Sequence, residues 1–219
     1  RGRSYERPKR TSLKSYLSSP ALAGTGCSNV AANVAKKSVR QTTSSETDPF
    51  LIQRYTFYLA QSYRDAGMEK ESIIFYRLRA RMGGWPEEVY LSYYYAGRQS
   101  NDIEDYFHAM DVIPTRSEAL ADILHKAIED DNMENINRGL HYYDKVMEDN
   151  LSWNTEGLFF VDKITILHDW AAIAMGKVGR IEESKKMMLK LYDEYLHNED
   201  YQNADRLKNN LSLFKEQGF

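Results

Sequence analysis

Residues 54–72 read RYTFYLAQSYRDAGMEKES, and residues 166–184 read ILHDWAAIAMGKVGRIEES. In each, small and aromatic residues recur at helical spacing, a glycine follows, and an acidic stretch ends in Glu-Ser. The two stretches lie 112 residues apart and share little identity. A pattern kept at such distance while its letters drift is what packing demands. Close helix approach needs small residues, a left-handed stop needs glycine, and a helix N-terminus favours acids. It predicts a helix–turn–helix unit used more than once.

Working outward, every segment from residue 50 on is helical in pattern. Asp48 is placed to cap a helix beginning near Phe50, which ends at Gly67. A second helix runs from Glu69 to about Met82 and stops at Gly83-Gly84. Pro86 opens a third, at a position where a missing N–H costs nothing, and that helix reaches about Gly97. A fourth covers Asp102 to Val112, and Pro114 breaks it. Thr115-Arg116-Ser117-Glu118 has the spacing of a capping box for the next helix. Residues 134–148 form the return helix, and 149–158 read as a loop. Helices from about Val161 to Lys177 and from Ile181 to Leu196 follow. The last, about Tyr201 to Lys215, offers Ala204, Leu207, Leu211 and Phe214 as a capping face. No segment makes a strand.

Residues 1–49 differ. They carry nine Lys/Arg against three acids, a balance of +6, and the remainder carries 20 basic and 29 acidic residues, a balance of −9. The stretch lacks sustained periodicity and holds few large apolar residues, so it reads as a basic Ser/Thr-rich arm with little intrinsic structure. Its composition fits a tail or linker, an organellar targeting remnant, or an arm that orders against an acidic surface. The acidic body argues against nucleic acid as its partner, because phosphate contacts need positive surface. Cys27 is the only cysteine, which excludes an intrachain disulfide and a Cys-based metal cluster. No apolar run approaches the ~20 residues of a spanning helix, so the chain is expected to be soluble and intracellular, without a membrane partner.

Helical pairs repeating every 30-odd residues are the signature of an α-solenoid. The two quoted stretches resemble the tetratricopeptide motif. Leu59 and Ala60 fall at its Leu-Gly, Tyr63 at its Tyr, Gly67 at the turn glycine, Ser72 at the small residue of the second helix and Tyr76 at the aromatic. In the later copy Ala171, Ala172, Met175, Gly179, Ser184 and Met188 take those places. The middle pairs, 86–112 and 116–148, keep the length and lose most of the signature. The expected fold is therefore all-α, an α-α superhelix of about four hairpins with a C-terminal capping helix.

Across residues 54–196, the phrases RYTFYLAQSYRDAGMEKES, RARMGGWPEEVY, PTRSEAL and LFFVDK also resemble the helical-repeat region that follows the catalytic domain in nucleotide-sugar glycosyltransferases of the GT-A type. That resemblance implies an accessory module. The family's catalytic part is a separate α/β domain with an Asp-x-Asp metal site. This chain has no Asp-x-Asp, and no catalytic residue can be carried over.

The chain offers no catalytic, metal or cofactor signature of its own. His108, His125, His141, His168 and His197 include no pair at ligand spacing and read as half-buried helix residues. Glu129-Asp130-Asp131 and Glu182-Glu183 read as solvated runs at helix ends. Tyr93, Tyr94 and Tyr95 point three ways from one helix. If the repeat register holds, the inner groove is lined by Arg54, Phe57, Gln61 and Arg64 from the first hairpin and Asp169, Ile173 and Lys177 from the last. The reading is a non-catalytic protein–protein interaction or scaffold module, built into a larger assembly. The alternative is the accessory part of a glycosyltransferase whose catalytic domain lies outside this chain.

Overall fold

The computed structural model describes residues 48–154 and 163–216. The chain divides after Asp48 into two compact units, and the fold below is that of the second. The expectations for the arm, for the end of the 149–158 loop, for a helix start at Val161 and for the Phe214 side chain lie outside the described residues.

Among the described residues there are nine helices: α1 (Pro49–Asp65), α2 (Glu69–Arg81), α3 (Pro86–Ser100), α4 (Ile103–Val112), α5 (Ser117–Glu129), α6 (Met133–Glu148), α7 (Lys163–Lys177), α8 (Ile181–His197) and α9 (Tyr201–Glu216). Each packs on the next along the chain, with one exception: α7 lies mainly against α5 and only sparsely against α6. No strand occurs among them. Their one extended pairing is a bridge between Arg116 and Asn154, where the Ser117 and Asn154 N–H groups donate at 3.0 Å to the carbonyls of Asn154 and Thr115.

The two quoted stretches build one construction twice. Ser72 Oγ donates to the Ala60 carbonyl at 2.9 Å, and Ser184 Oγ donates to the Ala172 carbonyl at 2.6 Å; all four residues are fully buried. A hydroxyl bonded twelve residues back clips the second helix onto the first where only a methyl group separates the backbones. The turns match as well. Met68 N–H reaches the Tyr63 carbonyl and Arg180 N–H the Met175 carbonyl, both at 2.9 Å, across left-handed Gly67 (φ 72°) and Gly179 (φ 83°). This is the glycine-closed helix stop.

The middle hairpins also turn through a left-handed residue, without glycine; Asn132 N–H repeats the bond, to the Ala127 carbonyl at 2.9 Å, whereas Asp102 N–H goes to Ser100 Oγ. Asn101 (φ 56°) and Asp131 (φ 48°) take the left-handed place, a conformation Asn and Asp tolerate better than most residues. Their close approaches move to other positions. A Cβ at Gly97 would sit 3.1 Å from the Tyr106 ring, and one at Gly139 would sit 2.7 Å from Leu124 Cδ2. Gly97 is therefore no helix stop, as its sequence position suggests, but the interior point of α3 at which α4 crosses. Nor is Thr115–Glu118 a capping box. The helix starts at Ser117, its N-cap Arg116 makes no side-chain cap bond, and Glu118 turns its carboxylate onto Arg116 instead.

Among the described residues, that pair is one of two buried ion pairs at junctions between hairpins. Arg116 Nη2 lies 2.8 Å from Glu118 Oε1, its guanidinium rests 4.5 Å from the centre of the Tyr90 ring, and the Tyr90 hydroxyl accepts the Ala119 N–H at 3.1 Å. Arg79, fully buried on α2, forks onto Glu88 Oε2 of α3 at 2.9 and 3.0 Å and gives Nη1 to the Gly83 carbonyl at 2.7 Å. Arg54 of α1 takes the other oxygen of Glu88 at 3.0 Å. Removing one partner of such a pair leaves a dry, uncompensated charge. Glu88→Gln is expected to lower unfolding stability by about 3–5 kcal/mol in denaturant titration. Arg79→Met combined with Glu88→Leu should recover most of that loss, and a double variant no better than the single one would show that the pair contributes beyond its mutual neutralisation.

Candidate binding cleft

The residues expected to line an inner groove are mostly engaged with other residues of the fold. Phe57 is in the core, packed edge-on to Tyr76, and lines no open surface. Arg54 pairs with Glu88 and lies over the rings of Phe50, Tyr58 and Trp85. Arg64 bonds to Asp65 and covers Tyr95 at 4.9 Å. Asp169 is clasped by Arg206 of α9, Ile173 packs in the α8–α9 core, and Lys177 reaches Asp131 at 2.5 Å. Gln61 is half-buried. These contacts join each residue to its own neighbourhood, and none links the first set to the second.

The carboxylate runs are solvated, as expected. Asp131 and Glu183 are held below the ordinary carboxyl range by hydrogen bonds from Lys177 and Arg180. His108, His141 and His197 are exposed rather than half-buried. His125 stacks on Trp170 at 4.2 Å. Tyr94 is fully buried, Tyr93 meets His108, and Tyr95 lies between Tyr76 and Tyr94. Among the described residues no three His, Cys, Asp or Glu side chains gather as metal ligands.

An open cleft of about 890 Å³ lies elsewhere, where α6 parts from α7. One wall is α6 with the strap that follows it: Tyr143, Met147, Leu151 and Trp153. The opposite wall is α8, with Met187 and Leu191 low and Arg180, Glu183, Lys186 and Lys190 along the rim, and α7 contributes Ile164 and His168 to the floor. The strap holds its place because Asn154 is paired with residues 115–117. Trp153 stacks on Tyr143 at 5.7 Å, and the Tyr143 hydroxyl is 2.7 Å from His168 Nδ1. Burial, then the nearby Asp144, pushes the Tyr143 phenol well up from its ordinary value, so it stays neutral. The Trp153 indole N–H is buried with no partner among the described residues.

Electrostatically the rim is nearly balanced. Arg180 bonds Asp144 across the cleft at 2.7 Å and Glu183 on its own helix at 2.5 Å, and its guanidinium is held charged by those two carboxylates. Lys190 faces Glu194 at 3.6 Å, whereas Lys186 is exposed and meets no partner among the described residues. Met147 and Leu151 remain 48% and 46% exposed, a large apolar area left open beside a polar rim. Sequence reasoning missed this place because its walls belong to separate hairpins. The signal that could have found it is the turn spacing, which is 34 residues from Gly67 to Asn101, 30 to Asp131 and then 48 to Gly179.

No family model matches the chain, and no curated protein matches it.

The rim clasp sets a pH dependence of definite sign. Glu183 has its folded value depressed, so its contribution is present above the unfolded value of about 4.3 and fades as pH falls through the lower folded value. In carbon-detected NMR titration, the Glu183 carboxyl should titrate below that reference and return to it in Arg180→Gln. An unchanged midpoint would place the cause elsewhere.

Proposed function

We propose that the helical body is a tetratricopeptide-like α-solenoid acting as a non-catalytic protein-interaction module, and that it holds its partner in the cleft between α6 and α8. The cleft carries this reading: an apolar trough with a nearly neutral, charge-lined rim is built to bury a polypeptide segment and fix its orientation. The solenoid assignment is supported by the doubled hydroxyl clip and by left-handed turns closing four successive hairpins.

A photo-reactive amino acid at Leu151, with Lys208 on α9 as control, tests it in native lysate. A discrete adduct is expected from position 151 and not from 208, and Met147→Asp should abolish it. Equal labelling at both positions, or none at 151, would remove the cleft as the binding surface.

The accessory-module reading rests on the phrases that resemble, in order, the glycosyltransferase repeat regions. There the module would position an acceptor protein or mediate oligomerisation. Purified chain incubated with sugar nucleotides and Mn²⁺ is expected to give no hydrolysis or transfer above buffer. Turnover that co-purifies with the chain through successive columns would overturn the non-catalytic assignment.

A further inference from the structure

Three features point to the shape of what the cleft takes. The first is the break in the array. α2 packs along α3 and α4 along α5, so the outer flank of each is covered by the first helix of the next hairpin. Among the described residues α6 lacks that cover, because α7 sits mainly on α5 instead, and the flank bearing Tyr143 and Met147 faces the cleft. A helix laid there would meet α6 as α3 meets α2 and α5 meets α4. The second is length. The α8 wall runs from Arg180 to Glu194, roughly 21 Å at the α-helical rise, or about four turns. The third is charge. Arg180 and Lys190 have carboxylate partners within the protein, while Lys186, midway along the wall, has none among the described residues.

Resting on the interaction-module reading, we propose that the cleft binds one amphipathic α-helix of a partner protein. Its apolar stripe would lie on Met147, Leu151, Trp153 and Met187, and a carboxylate midway along it would pair with Lys186. This is helix-in-groove recognition, in which anchors at i, i+3, i+4 and i+7 fill an apolar trough. Methionines in the walls suit it, since their unbranched side chains adapt to the knobs they receive.

The probes are three designed 14-residue peptides with equal helix content by circular dichroism. One carries a Leu stripe and a central Glu, the second has Lys in place of that Glu, and the third scrambles the stripe. Binding to the whole chain is read by fluorescence anisotropy. The Glu peptide should bind, and the scrambled one should not. The Lys peptide should bind two- to fivefold more weakly, the range of a partly exposed ion pair. Lys186→Glu should invert the Glu/Lys preference, and Met147→Asp should weaken the Glu peptide about tenfold. Both positions are exposed, so the variants are expected to fold, with melting curves as the check.

Equal affinity for striped and scrambled peptides overturns the proposal, and so does a Glu/Lys preference that Lys186→Glu leaves unchanged. If no peptide binds while the position-151 adduct forms, the cleft is a binding site and the helical occupant is wrong. If sedimentation instead shows a dimer that Met147→Asp dissolves, the occupant is a second copy of the chain.

Discussion

A serine hydroxyl donating to a carbonyl twelve residues upstream sets the geometry of the first and last hairpins. Ser72 on Ala60 and Ser184 on Ala172 fix how near two antiparallel helices stand, and everything stacked outside each hairpin inherits that spacing. The bond is possible only because neither partner brings bulk. A longer side chain at either alanine would push the helix axes apart, and the serine would then be a buried polar group without its acceptor, at a cost of a few kcal/mol. Small size and polarity are thus one constraint rather than two. The constraint explains why these positions kept their character across 112 residues while those between them changed.

The parts of the fold that could be read beforehand are those where a local rule acts alone. Gly67 and Gly179 announced left-handed stops, Pro86 a helix start, and the small residues the matched hairpins. Where two rules competed, the sequence was ambiguous. Gly97 satisfies a helix stop as well as it satisfies a helix crossing, and only the Tyr106 ring beside it decides. Thr115 and Glu118 have the spacing of a capping box, but a buried arginine two residues before a glutamate outbids a backbone N–H for that carboxylate. In the run Arg77, Arg79, Arg81, nothing local marks the middle residue as the buried one. Its burial depends on Glu88, which belongs to the next hairpin.

The same logic accounts for the groove residues. Arg54, Arg64, Asp169 and Lys177 were chosen by register, and their polarity suited a binding face. Each turned out to have a partner nearby: Glu88, Asp65, Arg206 and Asp131. Charged side chains at helix junctions serve packing whenever a counter-charge stands across the joint, and a sequence pattern cannot tell that use from recognition. The cleft is the converse case. Its apolar residues belong to α6, α7, α8 and the strap after α6, and they meet at one surface where α7 lies mainly on α5.

That displacement connects packing to the proposed function. In a stack of hairpins each second helix has two apolar flanks, one for its own partner and one for the next hairpin in line. Covering both flanks favours stability and leaves nothing to offer a ligand. Here 48 residues separate the turn of the third hairpin, at Asp131, from that of the fourth, at Gly179; Asn154 ties the intervening strap to the start of α5, and α7 contacts α6 only sparsely. Where that flank and its strap stay exposed, at Met147 and Leu151, they forgo part of their burial, about 25 cal/mol for each Å² left wet. Under the proposed function, a partner helix would supply the contact that the described residues leave open on that flank.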